Sequence, residues 1–384
     1  MYNASNAFHK AVADGNEQKA LLIFSDCVFT DEDISVEEGI EFRDYFNTNE
    51  DLSIGQANSN ELTFSLFNDD RLLNSYKFGD FNALLGVQTG ETGYTQTGTA
   101  SIISTRLGNR YDGYAEYPYI RRNRTAMSVQ PNFAVRSLLC YDDKIWAFGA
   151  SGQHAVYNDS NGANITSQNP VNQFMRNKGA GWSGKGIFYN KSSRNLFVYE
   201  GGVRKPYEFV PLGWFTAERP RVPDVIQIDM TCYDWMTKFD IDMPDDGSLG
   251  VTYPIALGTL LKKMCDYVGI ELKSTSFINS GATISERPDD FDSVTMRDVV
   301  KWIAEAAGSN ARIDRDGKLE LAWLRSTSQS YQATDYSDFS PTWYETKKVT
   351  KLYNRDTQGS EDTTVGSGDE GYLIQDNPFL KGVS

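Results

Sequence analysis

The chain of 384 residues is acidic, because 37 Lys and Arg stand against 52 Asp and Glu to give a formal net charge of −15. This length exceeds what one hydrophobic core usually organises, so we expect several domains. The negative charge argues against sequence-specific nucleic-acid binding, since such affinity depends strongly on Lys and Arg that neutralise phosphates. With 21 Tyr, 21 Phe and 32 Gly, the composition favours β-structure with tight turns.

The first 86 residues predict a short helix followed by strands. Ser5 can cap the helix and Gly15 can end it. Strand-like runs follow at 20–24, 40–45 and Glu61–Phe67, and in the last run every second residue is apolar.

Residues 87–206 differ from their flanks, since they are rich in Gly, Asn, Ser and Tyr. Two hairpins are predicted there, at 138–148 and 186–199. Turn-rich sequence of this kind indicates a small β-domain inserted into the first one. A strand with alternating apolar residues follows at 225–233.

From about residue 250 the apolar spacing becomes helical. A helix at 255–268 carries a broad apolar stripe and ends at Gly269. A second helix begins after Thr295, with Asp298 at its third position as in a capping box, and ends at Gly308. A hairpin follows, so this region predicts a compact α/β module.

The predicted fold is therefore α+β and β-rich, with two β-domains, an α/β module and an inserted small β-domain. Four parts are expected: a discontinuous first β-domain at 1–86 with 207–248, the insertion at 87–206, the α/β module at 249–324, and a second β-domain at 325–384.

The four cysteines indicate a protein made in a reducing compartment. They lie far apart with no C-x-x-C pair, so zinc binding is unsupported and buried free thiols are expected. The chain has no long apolar run, and its N-terminus lacks the features of a signal peptide. We therefore expect synthesis in a bacterial cytoplasm and no membrane segment.

Residues that could perform catalysis are scarce. Only His9 and His154 could serve a nucleophile as base, and neither lies in a known motif. The acidic turns at 31–33 and 47–51 are typical of solvated loop rims, and Asp314 with Gly317 favours a tight hairpin turn over a calcium loop. We predict no enzyme, metal or cofactor, although sequence spacing does not exclude a pair of glycosidase carboxylates.

An aromatic cluster in the insertion carries the candidate recognition residues. Exposed Tyr and Trp side chains could stack on sugars of a host surface or anchor a protein interface. The alternative is that they pack the core of the small β-domain. The candidates are Tyr94, Tyr111, Tyr114, Tyr117, Tyr119 and Trp182.

Several segments follow a known pattern. Residues 51–57 (DLSIGQA) with 61–66 (ELTFSL) are similar to "FSIG-x-A…LEFTL". Residues 211–220 (PLGWFTAERP) with 231–240 (TCYDWMTKFD) match "PLG-F-x-x-x-x-P … TAYD-x-M-x-K-(F/L)D". Together with the opening helix and the module at 254–324, they resemble the tail-tip (baseplate) hub family of phages and prophages of Gram-positive bacteria. Each motif is weak alone.

The resemblance implies a structural virion component at the tail tip, similar to the hub of contractile-tailed phages. It also implies that the two β-domains are barrel-like hub β-domains and that the second one, at 325–384, is incomplete. It further implies a homotrimer that binds the tail tube, the distal tail protein and tip or spike proteins, and through which DNA is ejected. The insertion exceeds what a minimal hub needs, and relatives continue beyond the end of this chain. Two alternatives remain open: a tail protein that recognises a host-surface glycan or receptor, and a tail-associated cell-wall hydrolase.

Overall fold

The predicted fold class is confirmed, since the computed structural model is a strand-rich α+β protein. The chain divides into two compact units, Met1–Glu41 with Thr63–Thr231 (unit 1) and Phe42–Leu62 with Cys232–Ser384 (unit 2). The structure describes 4–35, 39–45, 53–68, 71–89, 132–133, 135–141, 144–158, 163–181, 186–190, 195–200, 203–217, 226–323, 351–355, 361–366 and 371–375. For 186, 188–190, 195–200, 203–204 and the last three of these ranges, only the backbone is described.

The largest sheet has twelve described strands. The strands are β1 Gln18–Phe24, β2 Val28–Thr30, β3 Ile40–Arg43, β4 Glu61–Phe67, β5 Asp80–Gln88, β6 Ser137–Tyr141, β7 Lys144–Phe148, β8 His154–Asn158, β9 Gly186–Asn190, β10 Asn195–Glu200, β11 Val203–Ala217 and β12 Gln227–Asp234. The main path of the sheet runs β2-β1-β5-β11-β10-β9-β6-β7-β8, with β12 on β11, β4 on β12 and β3 on β4. Along this main path β6 and β9 are parallel, and the other neighbouring strands are antiparallel.

Unit 1 also contains the helices α1 Asn6–Ala13 and α2 Gln173–Gly181. Its core is rich in stacked aromatic rings, with the Phe24 and Phe81 centroids 4.5 Å apart. Phe209 of β11 lies opposite Gly86 of β5, where a Cβ atom would come within 2.5 Å of the ring. The glycine therefore makes room for an aromatic ring that covers the strand.

Unit 2 has helices packed with short strands. Its elements are α3 Asp246–Leu249, α4 Leu257–Val268, α5 Met296–Ala306, β13 Ile255–Ala256, β14 Glu271–Leu272, β15 Thr283–Ile284, β16 Asn310–Ile313, β17 Lys318–Ala322, β18 Lys351–Arg355, β19 Glu361–Gly366 and β20 Gly371–Gln375. The strands β14, β17 and β16 form one sheet in that order, with β14 parallel to β17. The strands β19, β18 and β20 form another sheet in that order.

Most predicted elements are confirmed. Ser5 caps α1, and Thr295 with Asp298 forms the capping box of α5. Both predicted hairpins are present as β6–β7 and β9–β10. The helix predicted from 255 begins at Leu257, because Ile255 pairs with Ile284 in a short sheet.

The expectations about the cysteines, membrane-spanning helices and domains have separate outcomes. All four cysteines are free and buried, as predicted. No helix within the described ranges is long and apolar enough to cross a membrane. The barrel-like character of the β-domains and the four-part domain division stay predictions.

Candidate functional site

Motif residues of unit 2, together with Ser59 and Asn60 between two motif segments, form contacts with one another or with α5 and β16. We call this set the motif junction. It joins the segment before β4, the end of β12 and the start of α5. Its members are Gly55, Ala57, Ser59, Asn60, Asp234, Asp240 and Arg297.

Gly55 is required by its backbone conformation and by its close neighbour. Its φ is +78°, and an added Cβ would lie 2.9 Å from Cβ of Glu305 on α5. Its N–H donates to the carbonyl of Ser309 at 2.9 Å. A side chain here would meet both backbone strain and a helix, which explains a glycine at this motif position.

The residues after Gly55 extend the β14-β17-β16 sheet. The N–H of Ala311 donates to the carbonyl of Gln56 at 2.7 Å, and Gln56 donates its N–H to Oδ1 of Asn310 at 3.0 Å. Ala57 forms a parallel bridge with Ala311 and is only 2% exposed within the unit 2 core. This segment therefore covers the backbone groups at the edge of β16.

Asp234 fixes the next part of the junction. Its Oδ1 accepts the N–H of Met236 at 3.0 Å and so caps the 3₁₀ turn Trp235–Phe239. Its Oδ2 accepts the N–H of Asn60 at 3.0 Å, and its own N–H donates to the Asn60 carbonyl. Burial raises the pKa of Asp234 to about 7 despite these two N–H donors.

Three further positions of the 231–240 motif, Met236, Lys238 and Phe239, have contacts within unit 2. Met236 and Phe239 are fully buried in the unit 2 core. The Lys238 ammonium lies 4.0 Å from the centre of the Trp235 ring, in the geometry of a cation–π contact.

Arg297 closes the junction from the first turn of α5. Its guanidinium donates to Oδ2 of Asp240 at 2.8 Å and to Oγ of Ser59 at 2.9 Å, and its Nε lies 2.6 Å from the other Asp240 oxygen. A two-point Arg–carboxylate contact fixes orientation as well as charge. Burial raises the pKa of Asp240, and Arg297 opposes that shift.

The polar side chains of the motif junction hold chain segments in position. Both oxygens of Asp234 accept backbone N–H groups, and Asp240 is paired with Arg297. Both carboxylates therefore have a partner in the fold of unit 2. The arrangement holds three distant chain segments in register.

The two histidines lie apart from this junction, in unit 1. His9 is exposed on α1. His154 begins β8, where burial and the charge of Arg176 lower its pKa. No group of three or more His, Cys, Asp or Glu in the described part of the chain could hold a metal ion.

The predicted Asp–Gly turn is confirmed in unit 2. Oδ1 of Asp314 accepts the N–H groups of Asp316 and Lys318 at 3.0 and 2.9 Å, and Gly317 has a φ of +81°. The other oxygen lies 3.0 Å from the Lys273 ammonium. Asp314 therefore shapes the hairpin.

The solvated acidic rim expected at 31–33 is present only in part, because Glu32 is exposed and Asp31 is half-buried but Asp33 is not solvated. Asp33 is only 9% exposed, and its carboxylate contacts the Lys178 ammonium of α2. The missed signal was local: Thr30 and Asp33 have the spacing of a capping box, which the structure forms. The sequence could not predict Lys178 as the partner of Asp33, because the two residues are 145 positions apart. Residues 47–51 lie outside the described residues.

Unit 1 also has a shallow groove on the exposed side of β3, β4 and β12, with a volume of about 390 Å³. Oδ1 of Asp229 accepts hydrogen bonds there from Ser65 Oγ at 2.8 Å and Gln227 Nε2 at 3.1 Å. Glu41 also lines the groove.

The structure does not describe any of the aromatic recognition candidates, which are Tyr94, Tyr111, Tyr114, Tyr117, Tyr119 and Trp182.

Comparisons with known proteins add little. No protein-family model and no curated protein matches the chain. Among solved structures, it is similar to one described as the 43 kDa tail protein of prophage MuSo2 from Shewanella oneidensis, at 10% sequence identity and a TM-score of 0.35. The similarity covers 93% of this chain and 72% of that one. A TM-score this low carries no argument about function.

Proposed function

We propose that this chain is a structural component of a phage tail, and specifically the tail-tip hub that connects the tail tube and distal tail protein to the tip. The supporting observation is the motif junction. Segments chosen only for their resemblance to the hub pattern contact one another, since Gln56 of one donates to Asn310 of another 254 positions away. Gly55, Ala57, Asp234 and Arg297 each have a contact that their residue type explains.

The proposal includes a non-enzymatic role. The acids of the motif junction bind backbone N–H groups or Arg297, so the motif positions serve folding. Zymography on peptidoglycan tests this point against the cell-wall hydrolase alternative. A clearing band from the purified chain would overturn the non-enzymatic assignment.

We further propose that the chain acts as a homotrimer in the virion, at the tail tip. A closed ring uses the same pair of surfaces in every copy, which suits a part placed between a tube and a tip. The proposed partners are the tail tube, the distal tail protein and the tip or spike proteins.

Light scattering of the full chain, alone and with the distal tail protein from the same tail, tests the assembly. A trimer, or a larger ring with the partner, is expected. A monomer under both conditions would refute the hub assignment. Negative-stain imaging of tails with an antibody to this chain then tests its location, and labelling away from the tip would refute that part.

The aromatic residues of the insertion support a second candidate function, recognition of a host-surface glycan. Trp182→Ala and Tyr111→Ala are the test variants, and Tyr267→Ala is the matched control because Tyr267 is 48% exposed in unit 2. Loss of cell binding by the first two with assembly intact supports recognition. Equal binding by all three refutes it.

A further inference from the structure

A buried lysine–carboxylate contact in unit 1 has no part in the proposed hub function. Nζ of Lys178 contacts Oδ2 of Asp33, and the two side chains are only 9% and 10% exposed. Exposed pairs of the same kind, such as Lys262 with Asp266, keep 43% and 54% of their side chains in water.

The lysine is held in place by the packing of its helix. Gly179, the next residue of α2, lies so close to the ring of Phe148 that an added Cβ would come within 2.2 Å of it. Ser137 Oγ donates to the Gly179 carbonyl at 2.6 Å. These contacts with β6 and β7 fix the part of α2 that carries Lys178.

The Asp33 carboxylate is held in place by contacts of β2 with α2 and by Thr30. Phe29 of β2 packs against Phe174 of α2, with ring centroids 5.2 Å apart. Thr30 follows Phe29 and donates to Asp33 Oδ2 through its N–H at 2.6 Å and its hydroxyl at 3.2 Å. Nζ of Lys178 also donates to Oγ1 of Thr30 at 3.1 Å.

This arrangement has the parts of an acyl-transfer site. An amine is a nucleophile, and a carboxyl carbon is its electrophile. Two donors on Oδ2 are placed to stabilise the negative charge that develops on that oxygen when the carbon is attacked. The Thr30 hydroxyl also lies within reach of the amine protons.

Apolar side chains on the same chain segments keep water away from the pair. Cys27, Phe29 and Met175, which lie on the segments that carry Asp33 and Lys178, are fully buried. Fixed proximity replaces the entropy cost of a bimolecular encounter.

We propose that Lys178 and Asp33 condense to form an intramolecular isopeptide bond. The Nζ–Cγ bond forms and the Cγ–Oδ1 bond breaks. Nζ gives up two protons, which leave with that oxygen as one water molecule, and nothing is oxidised or reduced. Oδ2 becomes the amide carbonyl oxygen and keeps its hydrogen bonds from Thr30.

The bond would be a covalent link between positions 145 apart in the chain. Such a link restricts the unfolded chain more strongly as the closed loop grows. All four cysteines are free, so no disulfide supplies this restriction.

Intact-mass spectrometry of the folded, full-length chain under reducing and denaturing conditions tests the bond. The expected mass is one water molecule below that of the sequence. A tryptic digest is expected to contain a branched peptide that joins Asp33 to Lys178, with no cleavage after Lys178. Lys262 and Asp266 are the internal control and should appear unmodified in the same digest.

Two variants separate the bond from other losses of water. Lys178→Arg keeps a cation but forms no such amide, so its mass should equal that of its sequence. Asp33→Asn should reach the wild-type product mass by losing ammonia. A wild-type mass equal to the sequence, or a water loss located at an Asp-Gly step such as Asp246 with Gly247, would overturn the proposal.

Discussion

The two units of the chain are stabilised in different ways. Unit 1 has one large sheet whose core contains stacked phenylalanine rings, including Phe24, Phe81 and Phe215. Unit 2 packs mainly aliphatic and methionine side chains of α4 and α5 against short strands. The first depends on pairing distant strands, and the second on amphipathic helices.

Their buried polar contacts differ in the same way. In unit 2 the polar contacts of the motif junction lie at recognisable sequence positions. In unit 1 the Lys178–Asp33 contact lies in no motif. The comparison teaches that motif residues explain the buried polar contacts described in unit 2, while the Lys178–Asp33 contact of unit 1 is visible only in its packing.

The largest expected effect comes from breaking the buried contact of unit 1. Lys178→Met leaves the Asp33 carboxylate buried without a partner, and this unpaired carboxylate alone should lower the free energy of unfolding by about 3–5 kcal/mol, before any contribution from the proposed bond. Lys262→Met in the exposed pair of α4 should cost less than about 1 kcal/mol. Urea denaturation measures both, and equal costs would remove the contrast between the pairs.

Phe81→Ala probes the aromatic core directly. Phe81 is fully buried and contacts the rings of Phe24 and Phe215, so its truncation should cost about 3–5 kcal/mol. Leu261→Ala in the unit 2 core should cost about 2–5 kcal/mol. Denaturation curves for the two variants measure both costs, and a cost below that range for Phe81→Ala would show that the rings do not form a close-packed core.

Asp234→Asn should remove a pH dependence from unit 2. The folded-state pKa of about 7 exceeds the ordinary value of 3.8, so the folded protein holds this proton more tightly than the unfolded chain. The contribution is full below pH 3.8 and is lost as pH rises to about 7. The slope is at most about 1.4 kcal/mol per pH unit.

The free energy of unfolding, measured across this pH range, tests the prediction. The variant should show a flatter profile than the wild type. Asp266→Asn, on the exposed face of α4, controls for the loss of one negative charge. Parallel profiles for wild type and Asp234→Asn would contradict the buried carboxyl group.

Gly55→Ala and Gly15→Ala together separate the cost of backbone strain from the cost of a steric clash with α5. Both Gly55 and Gly15 have a positive φ, but only Gly55 has a helix within 4 Å of an added Cβ. Gly15→Ala should cost about 1–2 kcal/mol from backbone strain, and Gly55→Ala should cost more. Thermal and urea unfolding of the pair measure the difference, and equal costs would mean that α5 moves aside.

The smallest effect is expected at the start of α5. Thr295→Ala removes the side chain that accepts the N–H of Asp298, which should cost about 1 kcal/mol. Thr295→Ser keeps the hydroxyl and should lie near the wild type. If both variants lose the same stability, the cap is not the cause.

Local sequence predicted many of the elements. Ser5 and Thr295 begin their helices because a side-chain oxygen can replace a missing backbone partner nearby. Alternation in Glu61–Phe67 predicted that Leu62 and Leu66 would be buried, and both are. The alternation at 225–233 predicted a strand that starts too early, because Ile226 lies before β12 and is 53% exposed.

The candidate site was predicted only as separate motifs. Residue types at Gly55, Asp234 and Arg297 indicated a family pattern, but nothing in their spacing indicated that they meet. Their contacts join positions up to 238 apart, and such pairing depends on how all the intervening elements pack.

The sequence by itself determined the fold class, the capped helices, the hairpin turns and the free thiols, because each depends on composition or on residues a few positions apart. The tertiary structure alone decided that Asp33 is buried against Lys178 and that Asp234 holds Asn60. Burial and partner choice set the charge and reactivity of those groups, and both arise only when distant segments exclude water together.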